Sequence, residues 1–152
     1  PATLRLAPEE CVAALDRLDP GLRRALEAPA ANIEAYHRGQ VGADYTVKGT
    51  GGTDVVVQKV TFEPGAVAPW HTHPGPETAI IASGALTIFM SDHPECAGHE
   101  YKPGEVFVGT GKVVHQAKNL GKEPAQLVIT YFNVPAGGPV ATPAQRPSNC
   151  AD

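Results

Sequence analysis

From Asp54 to Val134 apolar residues come in short bursts, each closed by Gly, Pro, Asn or a charged pair. Residues 55–62 (VVVQKVTF) are β-branched and aromatic and stop at Glu63-Pro64-Gly65. The run from Thr78 and the stretch 85–90 flank Gly84 closely enough to predict a tight hairpin. Shorter bursts follow at 99–102, 105–108 and 113–118, and residues 126–134 (QLVITYFNV) form the last and strongest. Short strands at regular intervals, with turn residues between them and no helical period, predict a sandwich or barrel. Periodicity does not choose between the two.

The pattern differs on either side. Residues 8–28 read as two short helices. The first has Pro8-Glu9-Glu10 in its first turn and Val12, Leu15 and Leu18 at helical spacing. The second is opened by Asp19-Pro20 as N-cap and N1, with Leu22, Ala25 and Leu26 on one side. Residues 39–53 are rich in Gly and Thr and read as a loop, in which 44–48 could pair as a strand. After Pro135 the sequence PAGGPVATPAQRPSNCAD predicts an extended tail over the surface. The expected organisation is a helical extension at 1–50, a β domain at 51–135 and a tail at 136–152.

At 152 residues the chain suits one domain with one core. A net charge of -4 argues against nucleic acid or an anionic membrane as partner, and no apolar run approaches the ~18 residues of a membrane span. The first residue is Pro1, as a cleaved secretory signal or a trimmed start would leave it. Cys11, Cys96 and Cys150 make no CxxC, which removes zinc ribbons and thioredoxin-like sites from consideration.

The candidate chemistry lies in 65–84, GAVAPWHTHPGPETAIIASG. His71 and His73 are one residue apart, so on a strand they share a face. Glu77 follows a Pro-Gly-Pro break, and His115 stands in a later β segment. Three imidazoles and a carboxylate are donors that suit one divalent transition metal. Alternation from His71 and His73 sends Val67 and Pro69 inward and Trp70 and Thr72 outward. From Glu77 the inward set is Ala79, Ile81 and Ser83, and from His115 it is Val113, Ala117 and Asn119. No Arg or Lys stands in those sets, so the clamp an anionic substrate wants is missing. A small, largely uncharged ligand is expected. His37, His93 and His99 lack ligand spacing and read as surface residues.

The interval pattern Gly65, five residues, His71-Thr72-His73, three residues, Glu77, six residues, Gly84 resembles the first motif of the cupin superfamily at every marked position. Gly104, His115 and Asn119 match the second motif, whose usual Pro is Thr110 here and whose usual second Gly is Lys112. The resemblance covers roughly residues 54–134. It implies an all-β double-stranded β-helix (jelly roll) with the metal in its mouth, which together with the N-terminal pattern predicts a cupin barrel carrying a short α-helical extension. It implies His71, His73, Glu77 and His115 as metal ligands, with Fe(II) first and Mn, Ni, Zn or Cu as alternatives.

Two functions fit such a site: a dioxygenase-like enzyme acting on a small substrate, or a protein that only binds a small ligand or metal. For an enzyme, Glu77 and Tyr131 are the candidate catalytic residues. Tyr131 also reads as a packing residue, because parity on its strand is open. Cupins commonly dimerise, so a homodimer is expected with residues 1–50 at its contact; the competing reading folds that arm onto its own barrel. Cys96 and Cys150 are a disulfide pinning the tail if the chain is exported, and two thiols if it is cytoplasmic. Both locations fit.

Overall fold

The structure, a computed structural model, describes residues 35–150. In chain order its strands are β1 (Thr53–Phe62), β2 (Val67–Thr72), β3 (Glu77–Ser83), β4 (Leu86–Met90), β5 (Gly98–Tyr101), β6 (Val106–Gly109), β7 (His115–Lys118), β8 (Ala125–Pro135) and β9 (Thr142–Pro143). They form two antiparallel sheets, ordered β1-β8-β3-β6 and β5-β4-β7-β2-β9. The expected all-β, double-sheeted architecture is therefore present. Its core lies between the sheets, where the inward positions of β3, β4, β6 and β8 supply Ala79, Ile81, Leu86, Ile88, Phe107, Leu127 and Ile129, each at most 8% exposed. Burial of this kind is the main stabilising term.

Several expectations change. β3 and β4 are not a hairpin: β3 pairs with β6 and β8, and β4 with β5 and β7. The chain crosses from one sheet to the other at Gly84. A one-residue gap between two apolar runs looks alike in both cases, because both runs are buried by sheet-on-sheet packing rather than by each other.

Residues 44–48 form no strand, and 35–50 contain no helix; Gln40 makes one isolated bridge to Glu105. The helices read over 8–28 lie outside the described residues. The tail after Pro135 is extended, as expected, and its segment β9 adds an edge to the second sheet.

The disulfide question resolves in favour of the bond. Cys96 and Cys150 are joined across 54 residues of sequence with their Cα atoms 4.9 Å apart. Both are buried. Closing a loop of this size removes unfolded-chain entropy equivalent to about 4 kcal/mol in the chain-entropy picture.

Candidate metal centre

Alternation along β2 fails at one place, and that place shapes the site. The pairing of β2 with β7 shifts between Ala68 and His71, a β-bulge. A bulge adds a residue and reverses which side chains face inward. Ala68 therefore packs on the core while Val67 is 49% exposed and Pro69 is exposed as well, contrary to the inward placement expected for both. Beyond the bulge, His71 and His73 point into the barrel as expected. On β3, Ala79 and Ile81 are buried, but a second shift between Ile81 and Ser83 leaves Ser83 exposed. On β7, Ala117 is buried as expected. Asn119 is fully buried yet serves the corner: its amide donates to the carbonyls of Phe62 (2.8 Å) and Glu123 (2.8 Å) and accepts from Gly121 N–H (2.9 Å).

The three histidines meet. Ligand-capable atoms of His71, His73 and His115 all lie within 4.8 Å of one another. Glu77 Oε1 is 3.2 Å from His73 Nε2 and 3.3 Å from His115 Nε2. Each imidazole has its Nδ1 against a backbone carbonyl: His71 to Pro69 (2.5 Å), His73 to Val140 (2.6 Å) and His115 to Val113 (3.0 Å). A carbonyl only accepts, so Nδ1 carries the proton in all three rings and Nε2 keeps its lone pair. Gly109, paired with Glu77 on β6, leaves room for the carboxylate, since a Cβ there would come within 2.7 Å of Glu77 Oε1.

Proximity alone would make Glu77 and its two histidines ion pairs, but burial outweighs it. Desolvation is the largest cause for all three. It lowers His73 and His115 to about 4 and raises Glu77 to about 8. At neutral pH the cluster is two uncharged imidazoles facing a protonated acid, and His73 Nε2 and Glu77 Oε1 have no hydrogen-bond partner. Buried polar atoms without partners are costly. Several inward lone pairs and one ionisable carboxyl are the donor set a divalent transition ion takes, and such an ion reverses the preference of Glu77 for its neutral form. The residues fit the metal that the motif implies.

These shifts set a pH dependence for the metal-free protein. His73 and His115, lowered from 6.5, bind more protons unfolded than folded between about pH 4 and 6.5, so stability rises with pH there. Glu77, raised from 4.5, binds its proton in the folded state up to about pH 8, so its contribution falls with pH from 4.5 to 8. Two groups outweigh one below 6.5, and only Glu77 acts above it. The thermal midpoint of chelator-treated protein is expected to peak near pH 6.5, and Glu77→Gln to remove the alkaline fall. A wild-type midpoint that is flat between pH 6.5 and 8 would contradict this.

The histidines open on a cavity of about 230 Å³ lined by Val60, Phe62, Ala68, Ala79, Leu86, Ile88, Phe107, Ala117, Leu127, Ile129, Gln58 and Tyr131 besides the four polar residues. Among the described residues, no Arg or Lys lines it. Tyr131, whose orientation the sequence left open, faces the cavity: it is 6% exposed, pairs with Glu77, and holds its ring 4.9 Å from that of His73. Burial first, then the Glu77 charge, pushes its hydroxyl above its ordinary 10. It is thus a hydrogen-bond donor at neutral pH.

Gln58 was missed by sequence reasoning. Alternation on β1 puts it on the face of Val56, Val60 and Phe62, the polar member of an apolar set. Phe107, whose ring is 5.9 Å from that of His115, was missed too. His37, His93 and His99 are exposed, as expected.

A family profile described as "Cupin domain" matches residues 58–131. Germin-like protein 1 of Brassica napus is 31% identical over 88 residues, covering 57% of this chain and 42% of that protein. Nectarin-1 of Nicotiana plumbaginifolia is 32% identical over 99 residues, covering 64% and 43%. The chain thus spans about two fifths of the length of these relatives. A Klebsiella pneumoniae protein with a double-stranded β-helix domain has a solved structure that superposes with a TM-score of 0.52 at 22% identity, over 77% of this chain and all of that one. That likeness concerns the fold.

Proposed function

Because this chain belongs to the cupin superfamily, with the matched region carrying all four polar residues of the site, we propose that it is a mononuclear metal enzyme of dioxygenase type. Its substrate is a small, largely uncharged organic molecule. The observation that carries the reading is the convergence of three carbonyl-fixed histidines, two of them with Nε2 beside the buried Glu77 carboxyl, on an apolar cavity.

His71, His73, Glu77 and His115 would hold the ion, Fe(II) first among the candidates. Bound there, it supplies Lewis acidity and a seat for substrate and dioxygen. The chain's own residues do the rest. The largely apolar wall excludes water and offers an anion no cationic side chain, which favours uncharged substrates. Tyr131 donates a hydrogen bond to substrate beside the ion, and the Gln58 amide offers a second polar contact.

The Cys96–Cys150 bond suits an oxidising compartment. The proposal retains a homodimer with residues 1–50 at its contact. Val55 and Val57, 62% and 63% exposed on the edge strand β1, are apolar surface that a second chain would cover.

The test is elemental analysis of protein as isolated, light scattering for its mass, and oxygen uptake by Fe(II)-loaded protein across matched neutral and carboxylate compounds. One transition metal per chain, and turnover confined to neutral compounds, is expected. Metal below a tenth of the chain concentration after loading would sink the metal site. Turnover of carboxylates alone would sink the substrate class, and a single-chain mass the dimer. The second reading, a protein that binds without reacting, is favoured by ligand-dependent stabilisation without oxygen uptake.

A further inference from the structure

Residues 136–150 form a strap along β2, which carries His71, and it is held at several points. Near its start, Gly137 N–H donates to Asp54 Oδ2 (2.8 Å). In the middle, β9 pairs with β2, setting Pro143 opposite His71 and Thr142 opposite Thr72, and Ala144 N–H donates to the Trp70 carbonyl (2.9 Å). At its end, Asn149 donates to the Ser91 carbonyl (2.9 Å) and Cys150 is bonded to Cys96.

The strap reaches a site residue through the Val140 carbonyl, 2.6 Å from His73 Nδ1. His71 and His115 take their orienting carbonyls from Pro69 and Val113, two residues back in their own chain. His73 takes its carbonyl from 67 residues away. Its tautomer and ring angle therefore depend on a segment whose sheet contact is a strand of two residues. So short a ladder is marginal by itself, and the disulfide is the covalent hold on the strap's far end, beside the Asn149–Ser91 hydrogen bond.

We propose that this strap is a positioning element of the three-histidine site, and that the Cys96–Cys150 bond couples metal retention to redox state. Reduction by a dithiol delivers two electrons and two protons, gives the thiols of Cys96 and Cys150, and leaves the reductant as its disulfide. The freed end samples more volume, the Val140 carbonyl spends less time at His73 Nδ1, and His73 loses the partner that aims Nε2. The proposal rests on the metal reading above, and concerns what holds His73 rather than what His73 holds.

The test uses full-length protein in three forms: oxidised wild type, Cys96→Ser/Cys150→Ser, and Val140→Gly. The last keeps the disulfide and the carbonyl but removes a side chain that packs on the core. Mn(II) is the probe, because it is a hard ion with little affinity for freed thiols. Its binding is followed by the loss of the free-ion EPR signal. In metal-free samples, nitrogen-15 NMR reads the His73 tautomer and the exchange of its Nδ1 proton.

Orienting partners of ligating histidines typically contribute 10–100-fold in metal affinity. The double variant is expected to bind Mn(II) about 10-fold more weakly or worse, with the His73 Nδ1 proton exchanging freely, and Val140→Gly to fall between. Dithiol-reduced wild type should match the double variant, which covers the case of a variant that folds badly. Equal Mn(II) affinity and an unchanged His73 signal in oxidised and reduced protein would overturn the strap while leaving the metal site standing. No Mn(II) binding by any form would overturn the coupling to metal together with the metal reading. The His73 signal would then still decide the positioning claim.

Discussion

His73→Ala is expected to lower metal affinity by roughly 100-fold or more, beyond the 10–100-fold that even outer-shell partners contribute. The reason is geometric. His73 Nε2 is a buried side-chain atom without a hydrogen-bond partner; it lies 3.2 Å from Glu77 Oε1, and the residue is 5% exposed within the cluster. No neighbouring side chain can replace it, because Tyr131 occupies the space beside its ring and the remaining described wall is apolar apart from Gln58. The substitution removes the unpartnered Nε2 together with the Nδ1–H that the Val140 carbonyl accepts, so the stability of the metal-free variant is read beside its metal content. Elemental analysis with circular dichroism separates the two effects, and His99→Ala, at an exposed position, serves as the control. Wild-type metal content in His73→Ala would remove this residue from the ligand set.

Gly111→Ala is expected to destabilise the protein by about 2–5 kcal/mol, as left-handed backbone strain adds to an overpacked contact. Gly111 has φ +98, and a Cβ there would stand 2.2 Å from the Gly75 carbonyl oxygen. That atom is backbone, so relief requires moving the Pro74–Gly75–Pro76 turn. The Gly111 carbonyl also accepts from His73 N–H at 2.8 Å, which carries the disturbance into the site. At ~2–4 °C per kcal/mol for a chain of this size, a thermal midpoint about 10 °C lower is expected, with weakened metal binding. Gly51→Ala, where a Cβ meets nothing within 4 Å, should change little. A midpoint within 2–3 °C of wild type for Gly111→Ala would show that the turn yields more easily than its contacts imply.

Gly111 also accounts for the irregular second motif. The residue that the usual pattern makes glycine is Lys112, and the left-handed position the turn needs is filled one residue earlier. Sequence comparison by interval sees a departure there. The backbone sees a glycine where it is required.

Much of the site was legible because its residues follow local rules. His71 and His73 share a face by strand alternation, Glu77 opens the next strand, and apolar bursts marked β1 and the strands from β4 to β8 to within a residue or two. Where reading failed, a non-local event intervened. The bulge between Ala68 and His71 reversed the inward set of β2, displacing Val67 and Pro69 to the surface. Gly84 marked a crossing between sheets rather than a hairpin, because pairing partners are chosen by burial across the barrel.

The amino-acid sequence by itself determined the all-β class and the spacing that brings His71, His73 and His115 together, since residue type, spacing and period are properties of the chain alone. Tertiary structure decided the rest. It turned Tyr131 and Gln58 into the cavity, closed Cys96 onto Cys150, and brought the Val140 carbonyl to His73 from 67 residues away. The physical reason is the same in each case. A contact between distant residues is selected by the joint packing of both sheets and the tail, and no periodicity within either segment encodes it.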